Sequence, residues 1–228
     1  MKIIFATPAY RGVQCGPFLD SLEATVTLCM ACGYETEFIQ LTGSPYVQTA
    51  RNTLLMQAYN KGADKVFFLD DDVSWKPLDA IRLIESGYDV VAGLYRFKQD
   101  EVNYPVVLYT DDNGQACYRE DGSLAAARVP TGFLCIDRKV IAQLIEAYPQ
   151  QRYIDRADEV VLYDLFPQGI RDGQWVGEDY AFCDLCTDIG IKIFVVPDID
   201  LCHYSSTTRY DGNFLKWLQS LSGDDNES

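Results

Sequence analysis

Apolar positions along this chain follow two rhythms. Short unbroken apolar runs alternate with longer stretches in which apolar residues return every three or four positions. The runs at 2–6, 34–40, 66–69 and 89–94 predict strands, and the helical spacing of 18–32, 47–61 and 77–86 predicts helices between them. Gly33, Gly62 and Gly87 stand at the helix exits, and Pro77 stands at a first helical position. Strands that alternate with helices in this way predict a Rossmann-like α/β fold: a mostly parallel central sheet, flanked by helices, with right-handed crossovers.

The second half is less regular. Residues 105–119 read as an antiparallel hairpin turning at Asn113-Gly114, a smaller antiparallel element in the C-terminal half. Strands follow at 133–136 and 192–196, and helices at 138–147, 178–189 and 214–221. Residues 150–176 are polar and aromatic without a period and read as loop. The final "SGDDNES", 222–228, reads as a flexible tail. With no repeat or linker, 1–221 reads as one domain.

Composition excludes several classes. The chain has 228 residues, 48% hydrophobic, which is enough to bury a full core and rules out a disordered chain. A formal charge of -15 repels duplex nucleic acid, so nucleic acid is not an expected partner. "MKIIFATPAY" carries too few apolar residues for a secretory leader, and no run approaches a membrane span, so the expectation is a cytoplasmic protein with no transmembrane segment. The oligomeric state is not legible. Of the eight cysteines, Cys29 with Cys32 and Cys183 with Cys186 have C-x-x-C spacing. Both pairs lie in helical patterns and lack the Gly or Pro knuckles of zinc ribbons, so they read as small buried thiols.

Candidate chemistry begins with "KVFFLDDDVSW", 65–75. Asp70, Asp71 and Asp72 end the third predicted strand, at the carboxyl edge where open parallel sheets bind ligands. Three adjacent carboxylates repel one another, and a divalent cation relieves that repulsion while offering charge to a diphosphate. Asp70 and Asp72 share a side in an extended chain. The plainer reading is a solvated acidic turn.

With "TPAY", "TARNTLL", "FFLDDDVSW", "VVAGLYRFK", "PTGFLCIDRKV", "GEDYAFC" and "LCHYSSTTRYDG" in that order, the sequence resembles the GT-A-fold glycosyltransferases, family 2-like, of the small bacterial and viral type. The resemblance spans about residues 2–214. It implies a metal-dependent enzyme moving a sugar from a nucleotide-sugar donor, a UDP- or GDP-sugar, to a hydroxyl of a glycan, lipid-linked or protein acceptor. It divides the domain into a nucleotide-sugar half, about 1–98, and an acceptor half, about 99–221. Asp70 and Asp72 match its Asp-x-Asp motif, which holds Mn2+ or Mg2+, and Asp71 is the variable middle residue, grouped with the donor contacts. Thr7, Pro8 and Tyr10 match the nucleoside contacts after the first strand. The family's base-reading aspartate after the second strand is absent, with Gln40 or Thr42 in its place. Arg51 and Asn52 match an Arg-Asn pair near the donor, where a guanidinium fork suits phosphate or sugar oxygens. Lys98 and Arg209 are further diphosphate candidates.

The same resemblance makes Asp179 of "GEDYAFC" the general base of an inverting transfer, with Glu178 a positioning acid. Acids in the first turn of a helix also stabilise it without any catalysis. His203, the only histidine, matches the C-terminal histidine that completes the metal site; a structural histidine is the plain alternative. Trp75, Trp175, Tyr153 and Tyr163 are either an acceptor stacking platform or ordinary core and rim aromatics. Rival readings are a haloacid-dehalogenase-like phosphatase, with Asp70 as nucleophile and Asp72 as acid/base, and a nucleotidyltransferase. A non-catalytic sugar-binding domain is the third.

Overall fold

The computed structural model describes residues 1–12, 14–155 and 159–223. The first half runs β1 (Lys2–Ala9), α1 (Gly16–Ala31), β2 (Glu35–Thr42), α2 (Val47–Asn60), β3 (Lys65–Leu69), β4 (Val73–Trp75), α3 (Pro77–Glu85) and β5 (Val90–Ala92). The second runs β6 (Val107–Leu108), β7 (Leu124–Arg128), β8 (Phe133–Asp137), α4 (Arg138–Ala147), β9 (Arg152–Ile154), β10 (Val161–Tyr163), β11 (Gly169–Arg171), β12 (Gln174–Val176), α5 (Glu178–Asp188), β13 (Ile193–Val195), β14 (Asp200–Tyr204), β15 (Arg209–Asn213) and α6 (Phe214–Gly223).

Eight strands form the central sheet in the order β2-β1-β3-β8-β5-β13-β7-β6. Six run in one direction; β8 and β7 run against them. The central strands are apolar throughout because both faces of the sheet are covered. Alternation by two sorts their side chains. Ile4, Ala6, Val66, Phe68, Leu134 and Ile136 face α2, α4, α5 and α6, whereas Ile3, Phe5, Phe67, Leu69, Phe133 and Cys135 face α1 and α3.

Several expectations need correction. The sheet is not parallel throughout: β8 is inserted antiparallel between β3 and β5. Residues 150–176 are not plain loop but carry two short hairpins, β9–β10 and β11–β12. Cross-strand pairs as short as three residues leave little periodic signal. The turn at Asn113-Gly114 forms, with Asp111 Oδ1 accepting from Asn113 and Gln115, but its arms share one bridge, Thr110 to Ala116. Ser222 and Gly223 belong to α6, and the rest of the expected tail, 224–228, lies outside the described residues. Cys29, Cys183 and Cys186 are buried free thiols, and Cys32 is exposed. Burial pushes the Cys183 thiol up to about 12, so it stays neutral.

Two features of topology position the acidic triplet. Because β8 runs against β3, its start lies beside the end of β3, and Asp70 N donates to Gly132 O at 3.0 Å. Because β4 pairs with β14, with Val73 opposite His203, the chain after the triplet is clamped against the late histidine, and Tyr204 N donates to Asp72 O at 2.8 Å.

Candidate active site

The three aspartates are handled separately. Asp70 points inward: Oδ1 pairs with Arg51 Nη2 at 3.0 Å and Oδ2 accepts from the Tyr95 hydroxyl at 3.1 Å. That hydroxyl in turn accepts from Gly132 N–H at 3.2 Å. Gly132 packs so tightly that a Cβ there would lie within collision distance of Asp70 Oδ2 and 2.5 Å from the Tyr95 oxygen. Burial, then Asp70, pushes the Tyr95 phenol well above its ordinary value, so it remains a donor. Tyr95 and Gly132 had no signal in the sequence beyond their place in "GLYRFK" and "PTGF".

Asp72 points the other way. Its Oδ1 faces His203 Nε2 at 3.3 Å, and Oδ2 pairs with Lys98 Nζ. Burial pushes its carboxyl up, but His203 and Lys98 outweigh that and hold it below the ordinary range. His203 Nδ1 lies 2.9 Å from Arg96 O, and a carbonyl only accepts, so Nδ1 carries the hydrogen. Nε2 is the nitrogen left facing the Asp72 carboxylate oxygen. A carboxylate oxygen and an imidazole nitrogen side by side are ligand types a divalent cation accepts, and a histidine whose other nitrogen donates to a backbone carbonyl is the usual support for a metal ligand. Asp72 and His203 thus fit a divalent cation. Asp70 is engaged elsewhere, and no ready group of three ligands is assembled among the described residues. Asp71, half-buried between its neighbours, is pushed up to about 6 by burial first and by Asp72 and Asp70 next.

Arg51 joins the first acidic site to the second. Its guanidinium is buried over the Phe68 ring, with Nη2 on Asp70 and Nε 3.6 Å from Glu178 Oε1. Burial works against its charge, but Asp70 and Glu178 more than offset this, and its pKa is raised. Nε and Nη1 are buried with no hydrogen-bond partner among the described residues. Glu178 and Asp179 open α5 directly after Gly177. Asp179 Oδ1 accepts from Tyr180 N at 3.1 Å, and burial, then Glu178, raises its carboxyl to about 6.

No protein-family model matches this sequence, and no curated protein does. Solved structures resemble it. The chain is similar to A197 from STIV at 19% identity and TM-score 0.55, over 90% of this chain and 87% of that one. It is similar to GalNAc-T7, solved with UDP, GalNAc and Mn2+, at 11% identity and TM-score 0.51, over 88% of this chain and 43% of that one. The fold is GT-A. TarS from S. aureus, solved with UDP-GlcNAc, is 17% identical at TM-score 0.47, over 95% of this chain and 61% of that one. This chain spans less than two thirds of the length of GalNAc-T7 and TarS.

Within the GT-A fold, the expected site residues divide. Asp70, Arg51, Glu178 and Asp179 form one connected group, and Asp72, His203 and Lys98 form another beside it. Tyr95 spans the two, with its hydroxyl on Asp70 and its ring edge-on to His203 at 4.7 Å. Asn52 is placed otherwise. It is buried, its amide donates to Asp164 at 2.8 Å, and its oxygen accepts from Leu165 and Phe166, so it pins the chain before β11 rather than facing a ligand. Thr7 is fully buried in β1, Pro8 is half-buried, and Tyr10 is exposed. Exposed Gln40 bonds to Gln14. Arg209 is turned to Asp211 at 2.6 Å. Trp75 is core, with Nε1 on Thr25 and its ring against Phe18 and Phe133. Trp175 is 68% exposed opposite Ile170 on the β11–β12 hairpin. Tyr153 and Tyr163 are half-buried in β9 and β10. No helix among the described residues is long and apolar enough to cross a membrane.

Proposed function

We propose that this chain transfers a sugar from a nucleotide-sugar donor to an acceptor hydroxyl with inversion at the anomeric carbon, assisted by Mn2+ or Mg2+. One observation supports the reading: buried Arg51 lies between Asp70 and Glu178, so the acid assigned to the donor is adjacent to the helix start that carries Asp179. Arg51 Nη1, with no hydrogen-bond partner among the described residues, supplies a donor for a ligand oxygen. GalNAc-T7, of the same fold, was solved with UDP and Mn2+.

In this mechanism Asp72 and His203 would hold the cation, and Asp70, fixed by Arg51 and Tyr95, would orient the donor. When bound, the divalent ion offsets charge on the departing diphosphate. Asp179 takes the proton of the acceptor hydroxyl. The bond from that oxygen to the anomeric carbon forms as the bond from the carbon to phosphate oxygen breaks, and the nucleoside diphosphate leaves. A carboxyl near 6 is ionised at neutral pH while staying a better base than an ordinary aspartate. The phosphatase reading needs a free oxygen on Asp70 for attack at phosphorus, but Oδ1 is paired with Arg51 and Oδ2 accepts from Tyr95.

The test is a donor screen with UDP-, GDP- and CMP-sugars, reading hydrolysis and thermal shift with and without Mn2+. Metal-dependent stabilisation and turnover by one donor class supports the proposal. Silence toward every donor, with turnover of p-nitrophenyl phosphate, replaces it by the phosphatase.

A further inference from the structure

The geometry points to Lys98 as an exchangeable counter-cation: it holds Asp72 in the unloaded protein, leaves when a divalent cation binds, and then contacts the donor diphosphate. The inference rests on the transfer reading above and adds how that site is kept ready.

Each acid of the cluster needs compensation, and the two basic side chains supplying it differ in mobility. Arg51 is 4% exposed and locked between Asp70 and Glu178. Lys98 is 32% exposed, at the end of a flexible side chain, and its ammonium forms an ion pair with Asp72 alone among the described residues. An ammonium on Oδ2 engages one carboxylate oxygen and leaves Oδ1 beside His203 Nε2 at 3.3 Å, whereas a divalent ion would take both as ligands. Two cations on one carboxylate repel, so the looser one departs.

The backbone supports this exchange. Lys98 sits on a tight loop whose base is closed by Phe97 N on Asn103 O at 3.0 Å and by Arg96 Nη2 on Gln99 O and Asp100 O. The carbonyl of Arg96, two residues before Lys98, is the group that fixes His203 Nδ1. The histidine's orientation is therefore set by the loop base, and the lysine beyond it moves without disturbing that hydrogen bond. A freed Lys98 ammonium beside a bound cation lies within reach of the phosphate oxygens that the cation itself attracts.

The experiment measures Mn2+ affinity from the free-ion electron paramagnetic resonance signal, and UDP affinity by calorimetry at saturating Mn2+. Lys98→Met is compared with wild type and with Lys76→Met, which removes an exposed lysine paired to Asp200. Exchange predicts opposite shifts in Lys98→Met: Mn2+ binds about tenfold tighter without nucleotide, and UDP binds about tenfold weaker with Mn2+. Lys98→Gln should repeat both shifts, which guards against a folding defect in one variant. Mn2+ affinity tightened no more than in Lys76→Met, or UDP affinity unchanged, overturns the exchange while leaving the transfer reading intact. Wild-type protein that binds neither Mn2+ nor UDP overturns both.

Discussion

Gly132→Ala isolates the packing that holds Asp70. The backbone at Gly132 lies outside the left-handed region, so alanine adds no conformational strain and only its Cβ acts. That atom would meet Asp70 Oδ2 and the Tyr95 oxygen, and both must withdraw. The carboxylate then loses good geometry on Arg51 Nη2 and on the Tyr95 hydroxyl. Hydrogen bonds to a charged group contribute about 1.5–3 kcal/mol each. Asp70 is 23% exposed, so water recovers part of the loss, and a net cost of about 2–4 kcal/mol is expected. For a chain of this size that is a fall in Tm of roughly 5–15 °C. Differential scanning fluorimetry gives the shift, and Mn2+-dependent UDP binding shows whether the donor side fails with it. A Tm within about 2 °C of wild type and unchanged UDP affinity would refute the account of Asp70 as a carboxylate locked by Gly132 and Tyr95.

Further expectations concern the chemistry. Asp179→Asn should retain Mn2+ and UDP affinity while transfer falls by roughly 10²-fold or more, with Glu178→Gln costing less; product NMR should give the opposite anomer from the donor, and retained configuration would remove Asp179 as base. The transfer rate should rise with pH through about 6 as Asp179 ionises, a limb absent in Asp179→Asn. Because its folded pKa is raised above the unfolded value, Asp179's contribution to stability should decline as pH rises from about 4 to 6, measured by urea melts against Asp179→Asn. Asp72→Asn and His203→Ala should each weaken Mn2+ binding more than Asp71→Asn; a large drop in Tm for His203→Ala with unchanged Mn2+ affinity would make the histidine structural. Trp75→Ala should cost about 3–5 kcal/mol in chemical denaturation, as for a buried aromatic, whereas Trp175→Ala should leave stability unaltered.

What the sequence determined by itself was local. The apolar runs of β1 and β3, the helical spacing of α2 and α4, and the glycine stops follow from short-range periodicity and backbone preference, and all are read from adjacent residues. The acid-rich ends at Asp70–Asp72 and Glu178–Asp179 were legible for the same reason. Tertiary structure decided which ends meet. Nothing in "PTGFLCIDRKV" states that β8 runs against β3, yet that insertion alone sets Gly132 against Asp70. Two tryptophans whose roles the sequence left open were separated into core and surface by what packs on them: Trp75 lies beneath α1, and Trp175 sits on a hairpin too short to announce itself. Asn52 and Arg51 are neighbours in sequence, but successive helical residues face different directions. One pins residues 164–166, and the other joins the two acidic sites. Periodicity reports which face of an element is buried; it carries no record of the distant segment that covers it, because that choice is made by packing across the whole chain.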